Sequence, residues 1–367
     1  MKAIVYRRYG SPDVLECEEI DKPVPGDDEV LIKVRAASVN PLDWHFMRGT
    51  PVIGRLMMGL RKPKLTRLGV DVAGRVEAVG RNVSEFKPGD EVFGACRGAF
   101  AEYVCTSDSS LALKPDQVTF EQAVTASVAA FTALQALRDK GQIQAGNKVL
   151  INGAGGGVGT FAVQIAKSFG ADVTGVCSSR NGDMVRSIGA DRVIDYTRED
   201  FTRTGQRYDL ILDCIGNQPL SACRRALNPK GAYVVVGGPD GHWIGPLARL
   251  IKVLLLSRFV SQKLVVCVAK PSKADLKVVR ELMEAGKVTP VIDRRYTLAE
   301  VPHAIRYLEE GHARGKVVIT LENIHVPNPE SRTPNSELRI TDIAATSPAA
   351  PASTCSATES AARDACA

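Results

Sequence analysis

The sequence predicts a two-domain α/β protein, in which a β-rich domain of barrel type is interrupted by a doubly wound, parallel-sheet domain. Three observations carry this. β-branched runs and turn signals dominate the first 125 residues; strand and helix patterns then alternate to about residue 267; and short strands return after Pro271. Strands alternating with helices of about ten residues indicate βαβ units and a parallel sheet. The composition shifts place the β-rich domain at 1–125 plus 268–324 and the inserted domain at 126–267.

Taken in order, Val30-Leu31-Ile32-Lys33-Val34 and Gly74-Arg75-Val76-Glu77-Ala78-Val79 read as strands. Pro23 to Asp28 and Lys87-Pro88-Gly89-Asp90 punctuate them as turns. Glu121 to Leu137, rich in alanine and leucine, reads as one helix. Strands follow at 148–151, 172–176, 192–194, 210–213 and 233–236, with helices at 158–169, 182–188 and 218–227. A helix from Ala274 to Glu284 precedes the last strand, Gly315-Lys316-Val317-Val318-Ile319-Thr320-Leu321. Residues 325–367 contain no aromatic residue and are dominated by Ala, Ser, Thr and Pro, which predicts a disordered tail.

Composition narrows the function classes. With 44% apolar and 24% charged residues in 367, the chain is of soluble globular type, not collagen, coiled coil or wholly disordered. The net charge of +6 comes without a lysine- or arginine-rich run, which argues against a nucleic-acid partner and is compatible with a phosphorylated cofactor. Nine scattered cysteines with no C-x-x-C pair argue against a disulfide framework and a four-cysteine zinc lobe, and suit a reducing, cytoplasmic setting. The N-terminus lacks the apolar core of a signal peptide. The apolar stretch Ile244 to Val268 is broken by Arg249, Lys252, Arg258 and Lys263, too many charges for a membrane span. It reads as a helix over a pocket or a homodimer interface, with peripheral membrane contact as the alternative.

The chemistry-bearing motif is Asn152-Gly153-Ala154-Gly155-Gly156-Gly157-Val158-Gly159, which follows a strand and opens a helix. Ala154, Gly156 and Gly159 stand at the three positions of G-x-G-x-x-G, where small residues permit a sharp turn and close backbone approach to a pyrophosphate. The helix N-terminus adds free N–H groups and a positive dipole. At the end of the next strand, where an NAD site carries an acid for the ribose hydroxyls, the chain has Cys177-Ser178-Ser179-Arg180. An arginine and hydroxyls without a carboxylate predict NADPH.

Together with Asn40-Pro41-Leu42-Asp43, Gly69-Val70-Asp71-Val72-Ala73-Gly74, Lys87 to Gly94, His312 to Val318 and the interrupted topology, this turn resembles the medium-chain dehydrogenase/reductase superfamily. The closer likeness is to its zinc-free quinone oxidoreductase branch, over residues 1 to about 322. The resemblance implies a GroES-like substrate domain and a Rossmann domain. It implies cofactor contacts at Gly155, Gly156, Gly157, Val158 and Gly159, a 2′-phosphate site at Ser178, Arg180 and Tyr196, and further contacts at Gly237, Gly238 and His312-Ala313-Arg314. Where zinc-dependent members carry Cys, His and Cys, this chain has Asn40, Gly69-Val70-Asp71 and a position near Val128, so no metal is expected.

Hydride transfer without a Lewis acid favours acceptors whose own conjugation stabilises the product, namely quinones and α,β-unsaturated carbonyls. Asn40 is a candidate donor to the acceptor oxygen, or a turn residue. Asp43 could orient that loop or cap a helix, and His45 could protonate the product or serve structure alone; water could equally deliver the proton. Some members of this branch are implied to be NADPH-binding or membrane-trafficking proteins with little turnover, and that stands as the alternative function.

Overall fold

The structure, a computed structural model, describes residues 1–236, 253, 256–257 and 260–321. Gly237, Gly238, most of the 244–262 segment and the 325–367 tail lie outside the described residues.

The first domain opens with an antiparallel pair, β1 (Lys2–Val5) and β2 (Glu16–Glu19). Its main sheet is built on β3 (Glu29–Val39) and β4 (Asp71–Val79), with β5 (Glu91–Ala95), β6 (Tyr103–Ser107) and β7 (Leu111–Leu113). Helix α1 (Pro41–Arg48) and the single turn α2 (Arg55–Met58) lie in the β3–β4 connection. On β3, Val30, Ile32 and Val34 face a core shared with Val72, Val76 and Phe100 while Lys33 is exposed, the period-two pattern expected of a half-buried strand.

The segment read as one helix from Glu121 to Leu137 is instead three pieces. These are α3 (Phe120–Thr125), α4 (Val128–Leu134) and a wider π-type turn over Gln135–Lys140. The break at Ser127 frees the Val128 N–H, which donates to the Asp71 carboxylate at 2.9 Å. A tertiary hydrogen bond outweighs helix propensity here.

The inserted domain carries β8 (Lys148–Asn152), α5 (Gly157–Ser168), β9 (Asp172–Cys177), α6 (Gly182–Ser187), β10 (Arg192–Asp195) and β11 (Tyr208–Asp213). It continues through α7 (Leu220–Arg225), β12 (Leu227–Val235) and β13 (Lys263–Val266). All six strands are parallel, in the order β10-β9-β8-β11-β12-β13. The order reverses between β8 and β11, which makes the carboxyl ends of those strands the ligand-binding edge of a doubly wound sheet. β8 and β11 are buried on both faces through Val149, Leu150, Ile151, Leu210, Ile211 and Leu212.

Strand β13 corrects the reading of 244–268 as a single helix, since its last part pairs with β12 in the sheet. Past residue 268 comes α8 (Lys273–Glu284), which packs against both parts: Lys273 pairs with Glu85 of the first domain, and Phe93 and Ala112 of its sheet share the helix's core. Its buried residues Leu276, Val279 and Met283 pack in one core with Phe131, Leu134 and Phe161 of α4 and α5. Only after it does the chain rejoin the first sheet, through β14 (Ile292–Thr297) and β15 (Lys316–Thr320), which pairs antiparallel with β3; α9 (Val301–Glu309) packs beneath.

Candidate active site

Where β8 ends, Gly153 takes φ +89°, a left-handed value that glycine adopts without strain, and starts the turn. The sequence motif assigned no role to Gly153. Gly159 is required for packing, because a Cβ there would lie 2.0 Å from the Gly153 carbonyl. Gly156 faces open space, with nothing nearer to its would-be Cβ than that same carbonyl at 3.5 Å. The turn therefore leaves an open cradle against the first N–H groups of α5, which fits a pyrophosphate. Beside it, Asn181 Oδ1 is buried with no hydrogen-bond partner among the described residues, and Asn181 Nδ2 lies 2.7 Å from where a Gly155 Cβ would sit.

The returning segment closes one side of this cradle. Gly315 N donates to Gly155 O at 2.9 Å, and Arg180 Nη2 donates to the His312 carbonyl at 2.6 Å. Arg180, His312 and Gly155, separated widely in sequence, thus meet at one edge. Ser178 is half-buried at the end of β9; Tyr196, just past β10, is exposed and tied through its N–H to Cys177 O. Arg314 is held by its N–H to Asp293 at 2.9 Å, with Ala313 between it and His312. Burial pushes the Cys177 thiol up to about 11, leaving a neutral group where an NAD site holds an acid.

At the switch point, fully buried Asp213 accepts hydrogen bonds from Asn152 Nδ2 and Gly216 N, both at 2.8 Å, and from the Tyr233 hydroxyl. One carboxylate so fixes the carboxyl ends of three adjacent strands.

The second focus lies where β3, β4, α4 and β15 meet. Lys316, 3% exposed, directs its ammonium to Asn40 Oδ1 at 2.7 Å, Asp71 Oδ2 at 3.1 Å and Val39 O at 3.3 Å. Asp71 is fully buried and also accepts from Asn40 Nδ2 at 2.8 Å and from the Ser38 hydroxyl. Asn40 spends its other N–H on Ser38 O at 3.2 Å, so neither donor of its amide is unused. Of the stretches compared with the zinc site in the sequence, Asn40, Asp71 of Gly69-Val70-Asp71, where zinc-dependent members carry the Glu after the His, and Val128 converge on the Asp71 carboxylate, and Lys316 sits among them. Sequence reading missed Lys316; the available signal was a lone cation opening the buried run Val317-Val318-Ile319. The Ser127 hydroxyl is buried close by with no partner among the described residues.

Asp43 is fully buried below this network, accepting from Asn40 N at 2.8 Å and Gly69 N at 2.9 Å. Desolvation drives its carboxyl up to about 7, against the opposing pull of those two N–H bonds. Between the unfolded value near 3.9 and about 7 the native state then binds more protons than the unfolded one, so stability falls as pH rises through that window. Asp43→Asn removes this titration. The slope of Tm against pH between about 4.5 and 7 should be more positive in the variant than in the parent; equal slopes would show that Asp43 does not titrate there.

His45 is half-buried, stacked on Trp44 with ring centroids 3.7 Å apart, its Nδ1 lying 3.3 Å from Thr50 Oγ1. Thr50 borders a cavity of about 320 Å³ at the carboxyl end of α1, lined also by Tyr9, Ser11, Arg48, Val52 and Arg55. Asn40 and this cavity therefore occupy opposite ends of α1.

Family comparison agrees with this geometry. A model of the alcohol dehydrogenase GroES-like domain matches residues 26–116, and one described as zinc-binding dehydrogenase matches residues 188–319. The chain is 34% identical over 356 residues to the mitochondrial NAD(P)H oxidoreductase RTN4IP1 of Danio rerio, covering 88% of this chain and 91% of that one. It is 32% identical over 339 residues to a chloroplast envelope quinone oxidoreductase homolog of Arabidopsis thaliana, covering 87% and 98%. Its backbone superposes on the quinone oxidoreductase from Coxiella burnetii with a TM-score of 0.78 at 30% identity, covering 88% and 99%. The chain belongs to the medium-chain dehydrogenase/reductase superfamily, in its quinone oxidoreductase branch. Membership makes it an oxidoreductase with a nicotinamide cofactor, and the GroES-like and Rossmann parts of that superfamily are the two sheets described above. Among the described residues no helix is long and apolar enough to cross a membrane.

Proposed function

We propose that this oxidoreductase transfers hydride from NADPH to quinones or other α,β-unsaturated carbonyls, without zinc. The observation that carries the reading is the buried Lys316 ammonium, bonded to Asn40 and Asp71 and one residue from the Gly315–Gly155 contact. Zinc does not fit there, because the donors are hard oxygens and an amide, and the centre already holds a positive charge. A site that polarises its acceptor this weakly suits substrates whose conjugation spreads the incoming charge. NADPH, when bound, supplies the hydride.

The protein's share is alignment and proton supply. Gly153 to Gly159 and α5 hold the pyrophosphate, with Arg180 and Ser178 at the 2′-phosphate. Lys316 and Asp71 act as positioning residues that fix the Asn40 amide, and His45, oriented by Thr50, stands as the candidate proton donor. The scattered cysteines suit a reducing compartment such as the cytoplasm.

The test is a titration of the purified protein with NADPH, followed by addition of menadione and an enone to the same sample. Oxidation of bound NADPH is expected. Binding without oxidation across a panel of such acceptors would favour the alternative, an NADPH-binding sensor.

A further inference from the structure

Between Asp43 and Asp71 the chain contains six lysines and arginines and no acidic residue. Three of these cations, Arg61, Lys62 and Lys64, are exposed, and among the described residues none of their side chains enters an ion pair or hydrogen bond. The same loop exposes its large apolar side chains: Leu56 is 70% exposed, Met57 85%, Leu60 66% and Leu65 45%. Single exposed apolar residues are ordinary, but four within ten residues form a patch of the kind that marks an interaction site.

The patch is fixed in place. The Tyr9 hydroxyl donates to Gly59 O at 2.7 Å, Gly59 N bonds to Arg55 O and Lys64 N to Met58 O, both at 2.8 Å. Gly59 takes φ +116°, and a Cβ there would lie 2.1 Å from Lys62 O, so this closed turn depends on glycine. Arg55, at its base, is bonded to Gly49 O at 2.9 Å and lies over the Tyr9 ring with its guanidinium carbon 4.5 Å from the centroid.

We propose that residues 56–65 are a docking surface for an anionic lipid bilayer. Exposed leucine and methionine beside unpaired cations match both layers of such a membrane, with side chains entering the acyl boundary and ammonium and guanidinium groups at anionic headgroups. The alternatives match less of the surface. A two-fold dimer through this patch would set Arg61, Lys62 and Lys64 against their own copies, and a nucleic-acid backbone leaves the apolar side chains without partners. The inference does not rest on the reductase reading, since it concerns binding alone.

The experiment is co-sedimentation of the full chain with phosphatidylcholine vesicles and with equimolar phosphatidylcholine–phosphatidylglycerol vesicles, at low and high salt. Binding to the anionic vesicles only, weakened by salt, is expected. Each cation at an anionic surface contributes about fivefold, so the Arg61→Gln/Lys62→Gln/Lys64→Gln variant should lose on the order of a hundredfold in partitioning. The Leu56→Ser/Met57→Ser/Leu60→Ser variant should also lose binding while melting at the wild-type temperature, because it changes exposed side chains alone. No binding, equal binding to both vesicles, or binding undiminished in both variants overturns the proposal. Lipid-free self-association abolished by the apolar variant overturns it in favour of a second copy.

Discussion

Lys316→Met should cost about 3–5 kcal/mol of stability, the range for breaking one side of a buried ion pair. The two charged side chains are 3% and 0% exposed, so solvent cannot take the place of the missing partner. Asp71 would keep hydrogen bonds from Ser38, Asn40 and Val128 but no counter-charge, and Asn40 Oδ1 would lose its donor. For a domain of ordinary stability that is a large fraction of the total, and urea unfolding measures it directly. Neutralising the partner as well, in Lys316→Met/Asp71→Asn, should recover part of the loss, since an uncompensated charge costs more than an absent pair. kcat/KM with a quinone should fall in both, because Asn40 Oδ1 loses the ammonium that fixes its side of the amide. A single-variant loss below about 1 kcal/mol would mean that the pair is hydrated in solution and not the fixed centre described above.

The contrast between Lys316 and the phosphate turn shows what the sequence could disclose. The turn is local: strand, small residues and amphipathic helix succeed one another within twenty residues, and each obeys a short-range rule. The alternation of strands and helices was legible for the same reason, and the doubly wound order follows from it. Lys316 is not local. It acquires meaning only when β15 pairs with β3 and brings it to Asn40 and Asp71, residues more than 240 positions away. The break at Ser127 was hidden likewise, because most of residues 120–137 are alanine, leucine and other helix formers and the competing acceptor, Asp71, lies on a distant strand. The exposed loop at 56–65 gave no periodic signal at all. Its apolar residues are distinguished only by what fails to cover them.

Replacing Arg180 by alanine should weaken NADPH binding by about ten- to hundredfold and leave NADH within about threefold. The size follows from losing charge-assisted hydrogen bonds to a phosphate, about 1.5–3 kcal/mol. The asymmetry follows because NADH has no 2′-phosphate to meet the guanidinium. Arg180 is exposed yet held in place, its Nη2 bonded to His312 O at 2.6 Å and, among the described residues, no carboxylate on the rest of its fork. That tie makes the second half of the expectation specific. The guanidinium joins β9's edge to the returning segment, whose Gly315 closes on the phosphate turn at 2.9 Å. Arg180→Lys keeps the charge but cannot supply a fork to both His312 O and a phosphate, so it should restore only part of the discrimination. Fluorescence titration of the three proteins with both nucleotides measures it. Equal losses for NADPH and NADH in Arg180→Ala would assign the arginine to holding the 312–316 segment, and the preference for the phosphorylated cofactor would then have to come from Ser178 and Tyr196.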